Sequence, residues 1–125
     1  MITSKLKIAI LDDFEGALAV HPSLAPVREQ AQITVFGAPL GSAPEVAAAL
    51  ADFDGVCLVR ERTAFPATLI EQLPKLRFIA FTGARNPSLD QAAAAARGIP
   101  VSNTPGGPAK ASTAELTWAL LLAAA

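Results

Sequence analysis

Five short apolar runs divide the chain: Lys7–Asp12 (KIAILD), Gln32–Gly37 (QITVFG), Gly55–Val59 (GVCLV), Leu76–Phe81 (LRFIAF) and Ile99–Asn103 (IPVSN). Turn-forming or charged residues bound each run, and the β-branched and aromatic content predicts strands rather than buried helix. Apolar positions within a run are continuous rather than alternating, the pattern of strands covered on both faces of a parallel sheet. Helical segments lie between them. Ser42 with Glu45, Ser88 with Gln91 and Ser112 with Glu115 each have the capping-box spacing that marks a helix start. Pro66 suits the first turn of a helix and Gly98 the position just past a helix end. The segment Ser88–Arg97 (SLDQAAAAAR) takes its helical preference from alanine.

Alternating strands and helices predict an open α/β sheet with helices on both faces. Five strands joined by short right-handed crossovers favour a flavodoxin-like open parallel sheet of order 2-1-3-4-5 over a barrel. The pattern breaks at Asn103–Lys110 (NTPGGPAK), where two prolines and two adjacent glycines predict a linker or hinge. A last helix follows, and beyond Glu115 nearly every side chain in it is apolar. Such a helix needs covering on more than one face.

Composition sharpens this picture. With 125 residues the chain is one domain, long enough to bury a core. Apolar residues make up 52% and charged residues 17%, below the roughly 25% charged share of an average domain, which predicts surface meant for a partner or a neighbouring domain. Net charge is −1 with no run of Lys or Arg, so the footprint of a nucleic-acid binder is absent. A lone Cys57 cannot form an internal disulfide and fits a reducing compartment. The first residues carry no signal-peptide pattern and the last helix is too short to span a bilayer, so a soluble cytoplasmic protein is expected.

Ligands of such sheets gather beyond the carboxyl ends of the strands. That directs attention to Asp12–Asp13, Gly37, Arg60–Thr63, Thr82–Asn86 and Asn103–Gly107. In TGARN, Gly83 permits a turn closed to other residues, and successive backbone N–H groups can form a nest for an anion. Arg85 adds a cation able to bind a carboxylate or phosphate through two hydrogen bonds. In RERT, alternation along an extended segment would turn Arg60 and Arg62 the same way, onto one anion. Both stretches read equally as plain turns with solvated arginines. Asp12 and Asp13 suit a helix cap or turn better than a divalent metal site. His21 reads as a loop residue, Cys57 as inert core, and Trp118 as a packing residue. No Gly-x-Gly-x-x-Gly, no phosphate-binding Gly-Lys-Ser/Thr loop, no His/Cys metal cluster and no nucleophile elbow occurs in the sequence.

Taken in order, RERT (60–63), LPKLRFIAFTG (73–83), LD (89–90), RGIPVSNTPG (97–106) and STAEL (112–116) resemble the D-isomer-specific 2-hydroxyacid dehydrogenases, a family that includes D-3-phosphoglycerate dehydrogenase. The resemblance runs from the first strand to Ala125 and is sharpest from Val59 onward. It implies that residues 1–108 are an incomplete flavodoxin-like substrate domain. Residues 109–125 would be the helix that crosses to an NAD-binding Rossmann domain, so the chain would be truncated. It implies further that the amides of Gly83, Ala84 and Arg85 hold a substrate carboxylate. Arg60 and Arg62 would reach the rest of an anionic substrate, and Ala84 and Thr113 would lie near the nicotinamide of NAD or NADP. Many members carry a second glycine where this chain has Arg85. The family's catalytic arginine, glutamate and histidine, and its glycine-rich nucleotide fingerprint, would lie beyond residue 125. His21 does not match that histidine. The parent protein would be a homodimer or larger homo-oligomer acting on a small 2-hydroxy or 2-oxo acid, and these 125 residues alone would be inactive.

Two other readings stand beside this one. A receiver-like signalling domain shares the sheet order, but it needs an Asp after the third strand and a Lys after the fifth, where this chain has Arg60 and Asn103. A stand-alone anion-binding or interaction module would dock through the apolar last helix.

Overall fold

The computed structural model describes residues 4–107 and 109–125. Five strands form one all-parallel sheet of order β2-β1-β3-β4-β5: β1 Leu6–Leu11, β2 Ala31–Val35, β3 Gly55–Leu58, β4 Phe78–Phe81 and β5 Val101–Asn103. This is the order expected from the sequence. Each strand falls inside, or within one residue of, its apolar run.

Helices α2 (Ala43–Leu50), α3 (Ala67–Glu71) and α4 (Gln91–Ala96) lead from β2 through to β5. Because the crossovers advance in one direction across the sheet, right-handedness puts all three on one face. There Ala9, Leu11, Val56, Leu58, Ile79 and Phe81 point inward against Val46, Leu50, Leu69, Ile70 and Ala94. Helix α1 (Ala25–Gln30) serves the reverse step from β1 to β2 and lies on the opposite face, where Pro26 and Val27 flank a shallow groove with Ile8 and Phe78.

Local signals account for most boundaries. Ser42 and Glu45 form the expected capping box, with Glu45 Oε2 accepting from the Ser42 amide at 2.6 Å. Pro66 stands at the N-cap of α3, and its fixed φ begins the turn. Gly98, at φ +67°, ends α4 in the left-handed region. Two expected starts differ. Asp90, not Ser88, caps α4 by accepting from the Ala93 amide at 2.9 Å, because the bridge between Phe65 and Leu89 keeps Leu89 out of the helix and leaves Ser88 in the preceding turn, closed by the Leu89 amide donating to Asn86 O. Helix α5 (Ala109–Ala124) begins before Ser112, which therefore lies inside the helix rather than at its cap. The expected boundary at Pro108 falls outside the described residues.

Phe65 is the keystone of the α-covered face. It is fully buried, its amide donates to Ser88 O at 2.7 Å, and its carbonyl accepts from Asp90 at 3.0 Å. The loop after β3 is thus tied to the loop after β4. In contrast, α5 exposes Leu116, Trp118, Leu120, Leu121 and Leu122, with Trp118 66% accessible. The packing role expected for Trp118 is not met within these residues. Among the described residues, no helix is long and apolar enough to cross a membrane.

Phe65→Ala should cost about 3–5 kcal/mol of unfolding free energy, as truncation of a fully buried phenylalanine leaves a cavity. A urea titration measures this directly, and a loss below about 1 kcal/mol would contradict the keystone assignment.

Candidate active-site cleft

The carboxyl ends of β3, β4 and β5 stand level, because Leu58 pairs with Phe81 and Phe81 with Asn103. Each loop therefore leaves the sheet at the same height. Together they enclose a cleft of about 770 Å³ lined by Arg60 and Glu61, by Thr82, Gly83, Ala84 and Arg85, and by the Thr104–Gly107 segment. Four of the five residues expected to bind substrate converge here: Arg60, Gly83, Ala84 and Arg85.

Among the described residues, Arg60 is one of two non-glycine residues with positive φ, at +59°; the other is Asp12, at +61°. A left-handed conformation costs an L-residue roughly 1–2 kcal/mol. Hydrogen bonds on both sides offset that strain at Arg60. Its amide donates to Thr82 Oγ1 at 3.0 Å and its carbonyl accepts from Asn86 Nδ2 at 3.1 Å. The side chain then reaches Gly83, where a β-carbon would stand 3.4 Å from Arg60 Nη1.

Gly83 adopts φ +110°, a conformation that side chains rarely allow. Both of its peptide groups are engaged by the end of β5: its amide donates to Thr104 Oγ1 at 2.7 Å, and Asn103 Nδ2 donates to its carbonyl at 3.1 Å. The expected three-amide nest therefore changes. Gly83 supplies backbone shape rather than a free donor, and the amides of Ala84 and Arg85 are the ones without a partner among the described residues. Gly106 packs beside Ala84, closing the cleft from the linker side.

Arg62 does not join Arg60. The left-handed turn at Arg60 breaks the alternation that would have aligned them, and Arg62 swings toward the loop after β1. There Nη1 and Nη2 grip Glu15 at 3.1 and 2.8 Å, Nη1 donates to Asp12 O at 2.7 Å, and the guanidinium lies 4.7 Å from the Phe14 ring centre. Hydrogen bonding from Arg62 holds the Glu15 carboxyl below the usual glutamate range. Thr113 sits within α5, apart from the residues lining the cleft.

The other candidates have structural roles. Thr63 Oγ1 donates to Asp12 Oδ2, and Asp13 Oδ2 accepts from the Ala19 amide at 2.9 Å, so the two buried aspartates shape a turn and cap no helix. Among the described residues, no group of three or more His, Cys, Asp or Glu is placed to hold a metal. His21 pairs locally with Ser23. Burial raises the Cys57 thiol above its usual range, which suppresses the reactive thiolate. The sequence marks the Thr82–Asn86 and Asn103–Gly107 stretches without separating the roles of Thr82, Asn86, Asn103 and Thr104. Local pattern carries no signal for them, since each acts on a residue about 20 or more positions away.

A parallel open sheet with an arginine-bearing cleft at its carboxyl edge defines an open α/β domain with its cleft at the position where ligands of such sheets gather. The particular family follows from comparison. The chain belongs to the D-isomer specific 2-hydroxyacid dehydrogenases: the model of that family's catalytic domain matches residues 8–122. A glyoxylate reductase from Aeropyrum pernix is 47% identical over 57 residues, 46% of this chain and 17% of its own length. An oxidoreductase from Ralstonia solanacearum, provisionally designated a D-3-phosphoglycerate dehydrogenase, superposes with a TM-score of 0.80 at 34% identity, covering 96% of this chain and 35% of that one. A phosphoglycerate oxidoreductase from Vibrio cholerae gives 0.76 at 31% identity, covering 95% of this chain and 37% of that one. The chain thus spans little more than a third of these solved relatives.

Because the Glu15 carboxyl is lowered in the fold, its contribution to stability is present at neutral pH and is lost as pH falls through the folded value. Arg62→Gln should therefore lower stability slightly at neutral pH, by an amount that shrinks to nothing as pH falls below about 4.5, so that the acid limb of the variant is shallower. Urea titrations across that range test this, and an acid limb unchanged in the variant would refute the pairing.

Proposed function

We propose that this chain is the substrate-binding portion of an NAD- or NADP-dependent oxidoreductase that interconverts a 2-hydroxy acid and its 2-oxo acid. The observation that carries the reading is the cleft itself: two adjacent amides, Ala84 and Arg85, without a partner among the described residues, beside the guanidinium of an Arg60 whose backbone is held on both sides. Adjacent amides suit the two oxygens of a carboxylate, and a nearby cation stabilises the charge. Glyoxylate and phosphoglycerate appear in the names of the relatives, and both ligand types carry the carboxylate that this arrangement suits.

The dinucleotide is a different matter. These 125 residues contain no Gly-x-Gly-x-x-Gly loop, and in this reading Ala84 and Thr113 would face a dinucleotide held elsewhere. No step of hydride transfer is assigned to them. General acid–base chemistry and nucleotide binding would come from residues outside this chain, and the 125-residue chain would be inactive by itself. Helix α5, apolar and exposed, suits a connection to a nucleotide-binding domain, with residues 1–108 as the substrate domain. A reducing, cytoplasmic setting and a homo-oligomeric parent fit the same reading.

Glyoxylate titrated into the 125-residue chain should shift the Ala84 and Arg85 amide resonances with millimolar affinity, because a few charged hydrogen bonds barely exceed the cost of association. Shifts confined to other loops would reject the site. In a chain that carries the nucleotide-binding half, Arg60→Ala should raise KM about tenfold with a smaller change in kcat, as expected when uniform binding is lost. A large fall in kcat at unchanged KM would reject the binding role of Arg60.

A further inference from the structure

The strained backbone at Arg60 calls for a cause. An arginine gains nothing locally from φ +59°, and left to itself it would return to a negative φ that redirects its side chain. Two groups prevent this, and both come from the loop after β4. Thr82 Oγ1 accepts from the Arg60 amide and Asn86 Nδ2 donates to its carbonyl, so the peptide units on either side of the Arg60 α-carbon are each fixed. Asn86 is itself buried, only 3% accessible, and its second polar atom is also engaged: Oδ1 accepts from the Ser88 amide at 3.0 Å. A buried amide satisfied at both ends is a rigid anchor. It is absent from the lining of the cleft and borders instead an adjoining pocket with Ala84, Arg85, Pro87 and Gln91.

We infer that Asn86 is a positioning residue for the anion site: with Thr82, it holds Arg60 in the left-handed conformation that places the guanidinium beside Gly83. This rests on the reading of the cleft as a carboxylate site and adds to it a residue that acts only through another. Backbone strain held in place by surrounding hydrogen bonds is a known means of fixing a functional side chain. Here the strained residue and its two restraints come from the loops of adjacent strands, β3 and β4, so the arginine and the Ala84–Arg85 amides are set relative to each other by one network. Loss of the Asn86 amide would release Arg60 while leaving the amides of the β4 loop in the cleft.

The test is a double-mutant cycle on glyoxylate binding by the 125-residue chain, followed through the Ala84 and Arg85 amide resonances, with thermal unfolding recorded for each variant. Arg60→Ala should weaken binding about fivefold and Asn86→Ala about threefold. The double variant should be no weaker than Arg60→Ala alone, because Asn86 then has nothing to position. The backbone chemical shifts of Arg60, which report its φ, should move in Asn86→Ala. If that variant does not fold, Asn86→Ser is the milder truncation that still cannot reach the Arg60 carbonyl, and the same cycle applies. Additive losses of about fifteenfold in the double variant would overturn the inference, since Asn86 would then act independently of Arg60. So would an Asn86 variant that binds glyoxylate normally with the Arg60 shifts unchanged. Unaltered binding by Arg60→Ala would instead defeat the prior assignment of Arg60 to the ligand, and the positioning role with it.

Discussion

Parallel pairing of β3, β4 and β5 in level register is the constraint from which the site follows. Leu58, Phe81 and Asn103 end their strands side by side, so the next residues, Arg60, Thr82, Gly83 and Thr104, emerge within hydrogen-bonding reach of one another. A slip of one residue in any pair would turn the apolar set of that strand to the other face and part these loops. Burial of Val56, Leu58, Ile79 and Phe81 against α2, α3 and α4 makes such a slip costly. The hydrophobic core therefore sets the height of the cleft.

Above that edge, side-chain-to-backbone hydrogen bonds replace the ladder. Thr82 and Asn86 secure Arg60, while Asn103 and Thr104 secure Gly83. The two positive-φ residues face each other, and each is restrained by polar side chains reaching across from a neighbouring loop. Arg62, one turn away, serves the opposite boundary of the loop by tying it to Asp12 and Glu15. Two arginines separated by a single residue thus have unlike surroundings, one in the cleft and the other in an ion pair.

The sheet is unevenly covered among the described residues. Three helices seal one face, whereas the other carries α1 and leaves a shallow apolar groove beside Ile8 and Phe78. Helix α5 projects leucines and Trp118 outward. Membership of the 2-hydroxyacid dehydrogenase family, together with a length little more than a third that of the solved relatives, gives these apolar surfaces a natural place against the remainder of a larger enzyme in the proposed reading.

How much of this was legible in the chain depends on the range of each interaction. Continuous apolar runs fixed where strands lie, Ser42 with Glu45 marked α2, and Gly98 marked the end of α4, because those signals act over a few residues. Sheet order was also accessible, since short right-handed crossovers leave few topologies. Ordered motifs from RERT to STAEL carried the family. The failures share one cause. Ser88 lost its helix cap to Asp90 because a distant bridge from Phe65 keeps Leu89 out of the helix, and Arg62 parted from Arg60 because Thr82 and Asn86 stabilise a left-handed conformation at Arg60. Gly83 lost its free amide to Thr104, 21 residues away. The sequence by itself determined the elements, their order and the loops that carry the chemistry. Only the tertiary structure decided which side chain in those loops faces the cleft, because hydrogen bonds between residues far apart in sequence outweigh the local backbone preferences that sequence encodes.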